Sequence, residues 1–76
     1  MTITEVKDYL KHLTSHVLFE YNGQSCGVDP LSRNKFDIWY GSKGATVSSI
    51  DEVMATKFFD GKSLTDIWDD IAELEY

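Results

Sequence analysis

Apolar residues recur at helical spacing at the start of the chain. The residues that share this spacing are Ile3, Val6, Leu10 and Leu13. A repeat of three and four residues predicts an amphipathic helix over residues 3–13, ending at Thr14 and Ser15. Thr2 precedes Glu5 by three positions, which is the spacing of a capping box, so the helix is expected to begin directly after Thr2.

A β-hairpin is predicted around Asn22-Gly23. Asn-Gly accommodates the positive φ angles of a type I′ turn, and it separates residues 16–21 from residues 24–28. A two-residue turn sets the strand register by itself. The pairs that it predicts, all on one apolar face, are Tyr21 with Gln24, Phe19 with Cys26, and Val17 with Val28. Asp29-Pro30 is expected to end the second strand.

A third strand is predicted over residues 35–40, where apolar residues alternate. Phe36, Ile38 and Tyr40 share the core face of this strand. Trp39 falls on the opposite face, as does Leu18 of the hairpin. Residues 41–44, rich in glycine, are expected to form a loop.

Two further helices are predicted after this loop. Ser49 and Glu52 form a second capping box at the start of a short helix, and Asp60-Gly61 is expected to be a turn. Ser63 and Asp66 then begin a final helix over residues 64–74. Its apolar stripe comprises Leu64, Ile67, Trp68, Ile71 and Leu74.

These elements predict a single α+β domain over residues 1–76. It is a two-layer fold with an N-terminal helix, a three-stranded antiparallel sheet, and a short and a longer C-terminal helix packed on one sheet face. The other sheet face, which carries Leu18 and Trp39, is expected to be open to solvent or to a partner. Tryptophan is enriched at the centres of protein interfaces, so this face is a candidate partner-binding site.

The net charge of −6 belongs entirely to the last third of the chain. Residues 1–49 carry as many acids as bases, whereas residues 50–76 carry eight acids against Lys57 and Lys62. The acids on the predicted final helix that could meet a partner are Asp66, Asp69, Asp70 and Glu73. A negative field repels nucleic acid and anionic membrane and favours a basic protein partner.

No catalytic, cofactor or metal signature is present in the sequence. Gly61-Lys62-Ser63 resembles the end of a phosphate-binding loop, but Thr56 stands where that motif requires glycine. His12, His16 and Cys26 lack the spacing of a zinc site. A single cysteine and the lack of a signal peptide or an apolar membrane span indicate a cytoplasmic protein. Because no catalytic signature is present, we expect that the protein is not an enzyme.

Three segments of the chain resemble a known group of proteins. They are residues 36–41 (FDIWYG), residues 49–54 (SIDEVM) and residues 58–64 (FFDGKSL). With them, the region of about residues 16–72 is similar to small uncharacterised proteins of Gram-positive bacteria and their phages. The resemblance implies a stand-alone cytoplasmic protein and assigns no activity or binding residue.

The leading functional hypothesis is a non-catalytic protein-interaction module that uses the open sheet face, the acidic final helix, or both. One alternative is an acidic decoy of DNA that blocks a basic nucleic-acid-binding protein. Such binding would fall steeply with salt. Another is a homodimeric regulatory or ligand-binding protein, since small cores often gain stability by association. The sequence leaves monomer and homodimer open.

Overall fold

A computed structural model describes residues 1–13 and 15–76 of the protein. Helix α1 spans Ile3–Lys11 and begins with the expected capping box, in which the Thr2 hydroxyl accepts from the Glu5 amide and the Glu5 carboxylate accepts from the Thr2 amide. His12 caps its C-terminal end, earlier than the sequence predicts. Thr14, the expected helix end, lies outside the described residues.

Five antiparallel strands form one sheet, in the order β4-β3-β2-β1-β5. The strands are β1 (Val17–Tyr21), β2 (Gln24–Ser32), β3 (Lys35–Tyr40), β4 (Lys43–Val47) and β5 (Ala72–Glu75). The predicted α+β class is therefore right, but the predicted three-stranded sheet is wrong. The hairpin at Asn22-Gly23 is confirmed together with its register and the positive φ angles of both turn residues.

The sequence predicted that the second strand ends at Asp29-Pro30. This prediction is wrong, because β2 continues to Ser32. Val28 pairs with Val17, the first residue of β1, so β2 beyond this point has a neighbouring strand only on its β3 side. Proline is compatible with such a position, because on the open side of β2 there is no strand that needs a hydrogen bond from its backbone nitrogen.

The predicted loop over residues 41–44 is instead a tight turn at Gly41-Ser42 followed by β4. This strand pairs with β3 along its whole length, from Tyr40 opposite Lys43 to Phe36 opposite Val47. Only Val47 of β4 is buried. An exposed edge strand needs no alternation of apolar and polar residues, which is why the sequence pattern did not reveal it.

The predicted helix over residues 64–74 is also wrong. The chain forms a short helix α3 (Leu64–Ile67), a 3₁₀ turn (Trp68–Asp70) and then β5. Acids near a helix C-terminus oppose the helix dipole, and the chain leaves the helical conformation at that point. Strand β5 instead pairs with the outer edge of β1, with Glu20 opposite Ala72 and Leu18 opposite Glu75.

Helix α2 (Ile50–Ala55) begins at Ser49, whose hydroxyl accepts a hydrogen bond from the Glu52 amide. The Glu52 carboxylate accepts from the amide of Ser48 rather than that of Ser49, so the predicted capping box is incomplete.

All the helices contribute to one core on a single side of the sheet. The buried apolar side chains are Val6, Leu10, Val17, Phe19, Tyr21, Cys26, Val28, Phe36, Ile38, Val47, Val53, Met54, Phe59, Leu64, Ile67 and Trp68. No helix within residues 1–13 and 15–76 is both long and apolar enough to cross a bilayer.

Candidate interaction surface

The sheet side that faces away from the helices carries a continuous row of residues across all five strands. Strand pairing places Leu18 opposite Gly27, Gly27 opposite Trp39, and Trp39 opposite Gly44, with Glu75 beside Leu18. Because side chains alternate along each strand, and the neighbours of these residues enter the core, this row faces outward. Leu18 and Trp39 are both half-buried.

The indole of Trp39 lies flat on the backbone of Gly27. A Cβ atom built on Gly27 would fall 2.2 Å from indole Cζ2 and 2.7 Å from Cε2. Gly27 is buried as a result, and the glycine is required by the close approach of the ring rather than by its own backbone angles. A ring supported in this way has little rotational freedom to lose when it meets a partner.

Two shallow grooves flank the indole. Because the ring leans towards β2, Gly44 is left uncovered, and a groove of about 350 Å³ opens between Trp39 and the Asp37–Thr46 pair. On the other side, a groove of about 230 Å³ runs from Trp39 past Leu18 to Glu73 and Glu75. The indole therefore forms a ridge between two depressions that could receive side chains of a partner.

The surface around the ridge is acidic, and we call it the acidic face. It comprises Trp39 and Leu18 with five carboxylates, which are Glu20, Asp29, Asp37, Glu73 and Glu75. Among the strand residues described, Lys35 at the start of β3 is the single base on this side. Glu73 reaches the face from a bulge in β5, where its φ is +54°.

Two carboxylates of the acidic face lie directly opposite one another. Asp29 on β2 pairs with Asp37 on β3, and the Thr46 hydroxyl donates to Asp37 Oδ1 at 2.8 Å. Like charges directly opposite one another destabilise a sheet. A cationic group bound between them would remove this repulsion.

The structure brings three of the six predicted site residues together and separates the others from them. Leu18, Trp39 and Glu73 line one groove. Asp69 and Asp70 lie on the 3₁₀ turn, outside both grooves. The single acidic helix that the sequence predicted does not form.

Asp66 has a local structural role in α3. Its carboxylate accepts from the Ser63 amide at 3.1 Å and lies 3.3 Å from Lys57 Nζ. Hydrogen bonds from the Ser63 amide and hydroxyl, followed by the Lys57 ammonium, lower the pKa of the Asp66 carboxyl below its usual value. The capping box predicted at Ser63 and Asp66 is confirmed.

The site residues predicted from the sequence did not include four carboxylates of the acidic face (Glu20, Asp29, Asp37 and Glu75) or Gly27. Glu75 follows the helix predicted over residues 64–74, and only its pairing with Leu18 places it beside the indole. The signal for Gly27 was available, because a glycine inside a strand often marks the close approach of another group. The predicted hairpin alone places Leu18, Glu20 and Gly27 on one face.

The described residues hold no cluster of metal ligands, and their free thiol is buried. Among residues 1–13 and 15–76, no group of three or more His, Cys, Asp or Glu residues is placed to hold a metal ion. Cys26 is a buried free thiol whose Sγ lies 3.4 Å from the Gln24 carbonyl oxygen. Burial raises the pKa of the Cys26 thiol, which disfavours the reactive thiolate.

Comparison of the chain with protein-family models, with curated proteins and with solved structures finds no match.

Proposed function

We propose that the protein is a non-catalytic interaction module whose acidic face binds a basic segment of a partner protein. The observation that carries this proposal is the half-buried indole of Trp39, held flat on Gly27 among five carboxylates. A guanidinium or ammonium group is attracted to the face of an indole and to neighbouring carboxylates at the same time. An arginine- or lysine-rich segment matches both features.

The same charges favour a basic partner over a second copy of the chain. In a two-fold symmetric dimer each face meets itself, so the carboxylates of one acidic face would oppose those of the other. The sheet edges also resist pairing: β4 carries Lys43, and β5 is bulged at Glu73. Lysines and bulges on edge strands prevent edge-to-edge association.

The DNA-decoy alternative requires acids arranged in rows that mimic the spacing of phosphates. The α-helix ends at Ile67, and Asp66, Asp70 and Glu73 lie on three different elements. They therefore form no row with the regular spacing of phosphates.

We propose that the protein is cytoplasmic, since its buried free thiol is compatible with a reducing compartment.

Titration of the full chain with a fluorescently labelled hexa-arginine peptide, followed by anisotropy, tests the proposal. Trp39→Ala leaves the net charge unchanged, so binding by charge alone predicts no effect. If a guanidinium group stacks on the Trp39 indole, the Trp39→Ala variant should bind the peptide at least about fivefold more weakly than the wild type, given the usual strength of a cation–π contact. Thr4→Ala on the exposed side of α1 is the control and should bind as the wild type does.

A pair of double variants tests the carboxylates. Glu73→Gln with Glu75→Gln removes two charges from the acidic face, whereas Asp69→Asn with Asp70→Asn removes two charges from the 3₁₀ turn. The first pair should weaken peptide binding more than the second at every salt concentration. Equal weakening by the two pairs, or wild-type affinity for Trp39→Ala, would show non-specific attraction and refute the proposed site.

A further inference from the structure

A groove on the helix side of the sheet gathers basic side chains above an apolar floor. Its volume is about 450 Å³, and the described residues that line it are Lys11, His12, Arg33, Phe36 and Ile50. Three elements meet here: the C-terminal end of α1, the Arg33-Asn34 turn between β2 and β3, and the first residue of α2. The acidic face lies on the opposite side of the sheet.

Part of this arrangement has a purely structural explanation. Lys11 and His12 lie at the C-terminal end of α1, where positive charge complements the helix dipole. His12 Nδ1 donates to the Asp8 carbonyl oxygen at 2.7 Å, because a carbonyl can only accept. Helix stability does not explain Arg33, which reaches the groove from a turn in the sheet.

The lysine and the arginine of the groove form no ion pair with acids of the described chain. Acids outnumber Lys and Arg by 13 to 7 in the sequence, yet among residues 1–13 and 15–76 no ion pair involves Lys11 or Arg33. Two cations beside one depression attract an anion, and an arginine can present two parallel N–H donors to its oxygens.

The floor of the groove is made of core side chains. Ile50 is half-buried and supplies the accessible part of this floor, whereas Phe36 lies beneath it at 1% exposure. The volume of the groove falls within the range of about 300–1,000 Å³ that is typical of small-molecule sites. A ligand here would meet positive charge at the rim and apolar surface below.

We propose that this groove binds a small organic phosphate monoester with an apolar or aromatic body. The dianionic phosphate matches the two charges of Lys11 and Arg33, and the body packs on Ile50 above Phe36. This site is independent of the acidic face, so its failure would leave the proposed interaction module untouched.

An NMR titration of the ¹⁵N-labelled full chain with phenyl phosphate tests the site. The expected result is a saturable shift of the Lys11, Arg33 and Ile50 amide signals. Inorganic phosphate lacks the apolar body and benzyl alcohol lacks the anion, so each should bind at least about tenfold more weakly. Benzoate binding as tightly as phenyl phosphate would overturn the assignment to a phosphate.

Variants of matched charge test the role of the rim. Arg33→Gln, in an exposed turn, should weaken phenyl phosphate binding by at least about tenfold. Lys43→Gln removes the same charge from the exposed edge strand β4 and should leave the affinity unchanged. Equal losses in the two variants, or shifts that do not saturate, would overturn the proposal because they indicate general attraction to charge.

Discussion

The contact between Gly27 and the Trp39 indole makes a sharp test of the acidic face. In a Gly27→Ala variant, the new Cβ would lie 2.2 Å from indole Cζ2, whereas non-bonded carbon atoms pack at about 3.5–4.0 Å. The ring must therefore retreat by more than about 1 Å. The φ of Gly27 is not positive, so alanine adds no backbone strain and the whole cost arises from this contact.

The expected loss of stability can be worked out from this geometry. Forcing a methyl group into a well-packed contact costs about 1–3 kcal/mol. If the ring swings away instead, uncovering roughly 50 Å² of apolar surface costs about 1 kcal/mol. Urea denaturation should therefore show Gly27→Ala less stable by about 1–3 kcal/mol, and the Trp39 indole signal should move in the ¹H–¹⁵N spectrum.

Gly44→Ala is the matched control, because Gly44 flanks the same indole on the other side. A Cβ on Gly44 meets only the Ile38 carbonyl oxygen, at 3.8 Å, which is an ordinary contact. Alanine in a strand is more favourable than glycine by about 0.5–1 kcal/mol. We therefore expect Gly44→Ala to be as stable as the wild type or slightly more stable.

A double-mutant cycle with Trp39→Ala completes the test. Without the indole, Gly27→Ala should become neutral or stabilising, which gives a coupling energy of at least about 1 kcal/mol between the two positions. The reasoning is refuted if Gly27→Ala costs as much in the Trp39→Ala background as in the wild type. The reasoning is also refuted if the single variant Gly27→Ala is as stable as the wild type and its indole signal does not move.

Two further predictions concern local structure. Leu13 follows the C-cap of α1 with φ +55°, which favours glycine over alanine, so in urea denaturation Leu13→Gly should be more stable than Leu13→Ala by about 1 kcal/mol; equal stability of the two variants would contradict the left-handed conformation. The pKa of the Asp66 carboxyl is lower in the folded protein than in the unfolded chain. The Asp66 carboxylate therefore stabilises the fold fully at pH values above its pKa in the unfolded chain, and this stabilisation is lost as the pH falls through its pKa in the folded protein. Carboxyl ¹³C titration should show this lowered pKa, with a partial return in Ser63→Ala; a wild-type pKa at its usual value would contradict the cap.

The parts of the fold that sequence predicted are those determined by local chemistry. Asn22-Gly23 set both the turn and the register of its hairpin, and the capping boxes at Thr2 and Ser63 located two helix starts. Trp39 was placed on the outer face because alternation along β3 alone determines it. Each of these inferences needed information from only a few neighbouring residues.

The parts that sequence missed depend on distant partners. Ile71 and Leu74 continue the helical spacing of α3 and do pack against the core, but Leu74 lies on β5 and Ile71 is the extended residue that precedes it. The unpaired edge of β1 supplies the hydrogen-bond partners that make this strand possible, and that edge lies far away in the sequence. The members of the acidic face contributed by β5, Glu73 and Glu75, could not be identified without that pairing.

The pairing of β5 with β1 also governs the order in which the sheet forms and opens. Strands β1 to β4 are joined by two-residue turns, whereas β5 returns only after α2, α3 and their connections. Closing so long a loop costs more entropy than closing a hairpin, so β5 docks late in folding and detaches first in the native state. A partner held by Glu73 and Glu75 would clamp this strand, and its amide protons would then exchange with solvent more slowly.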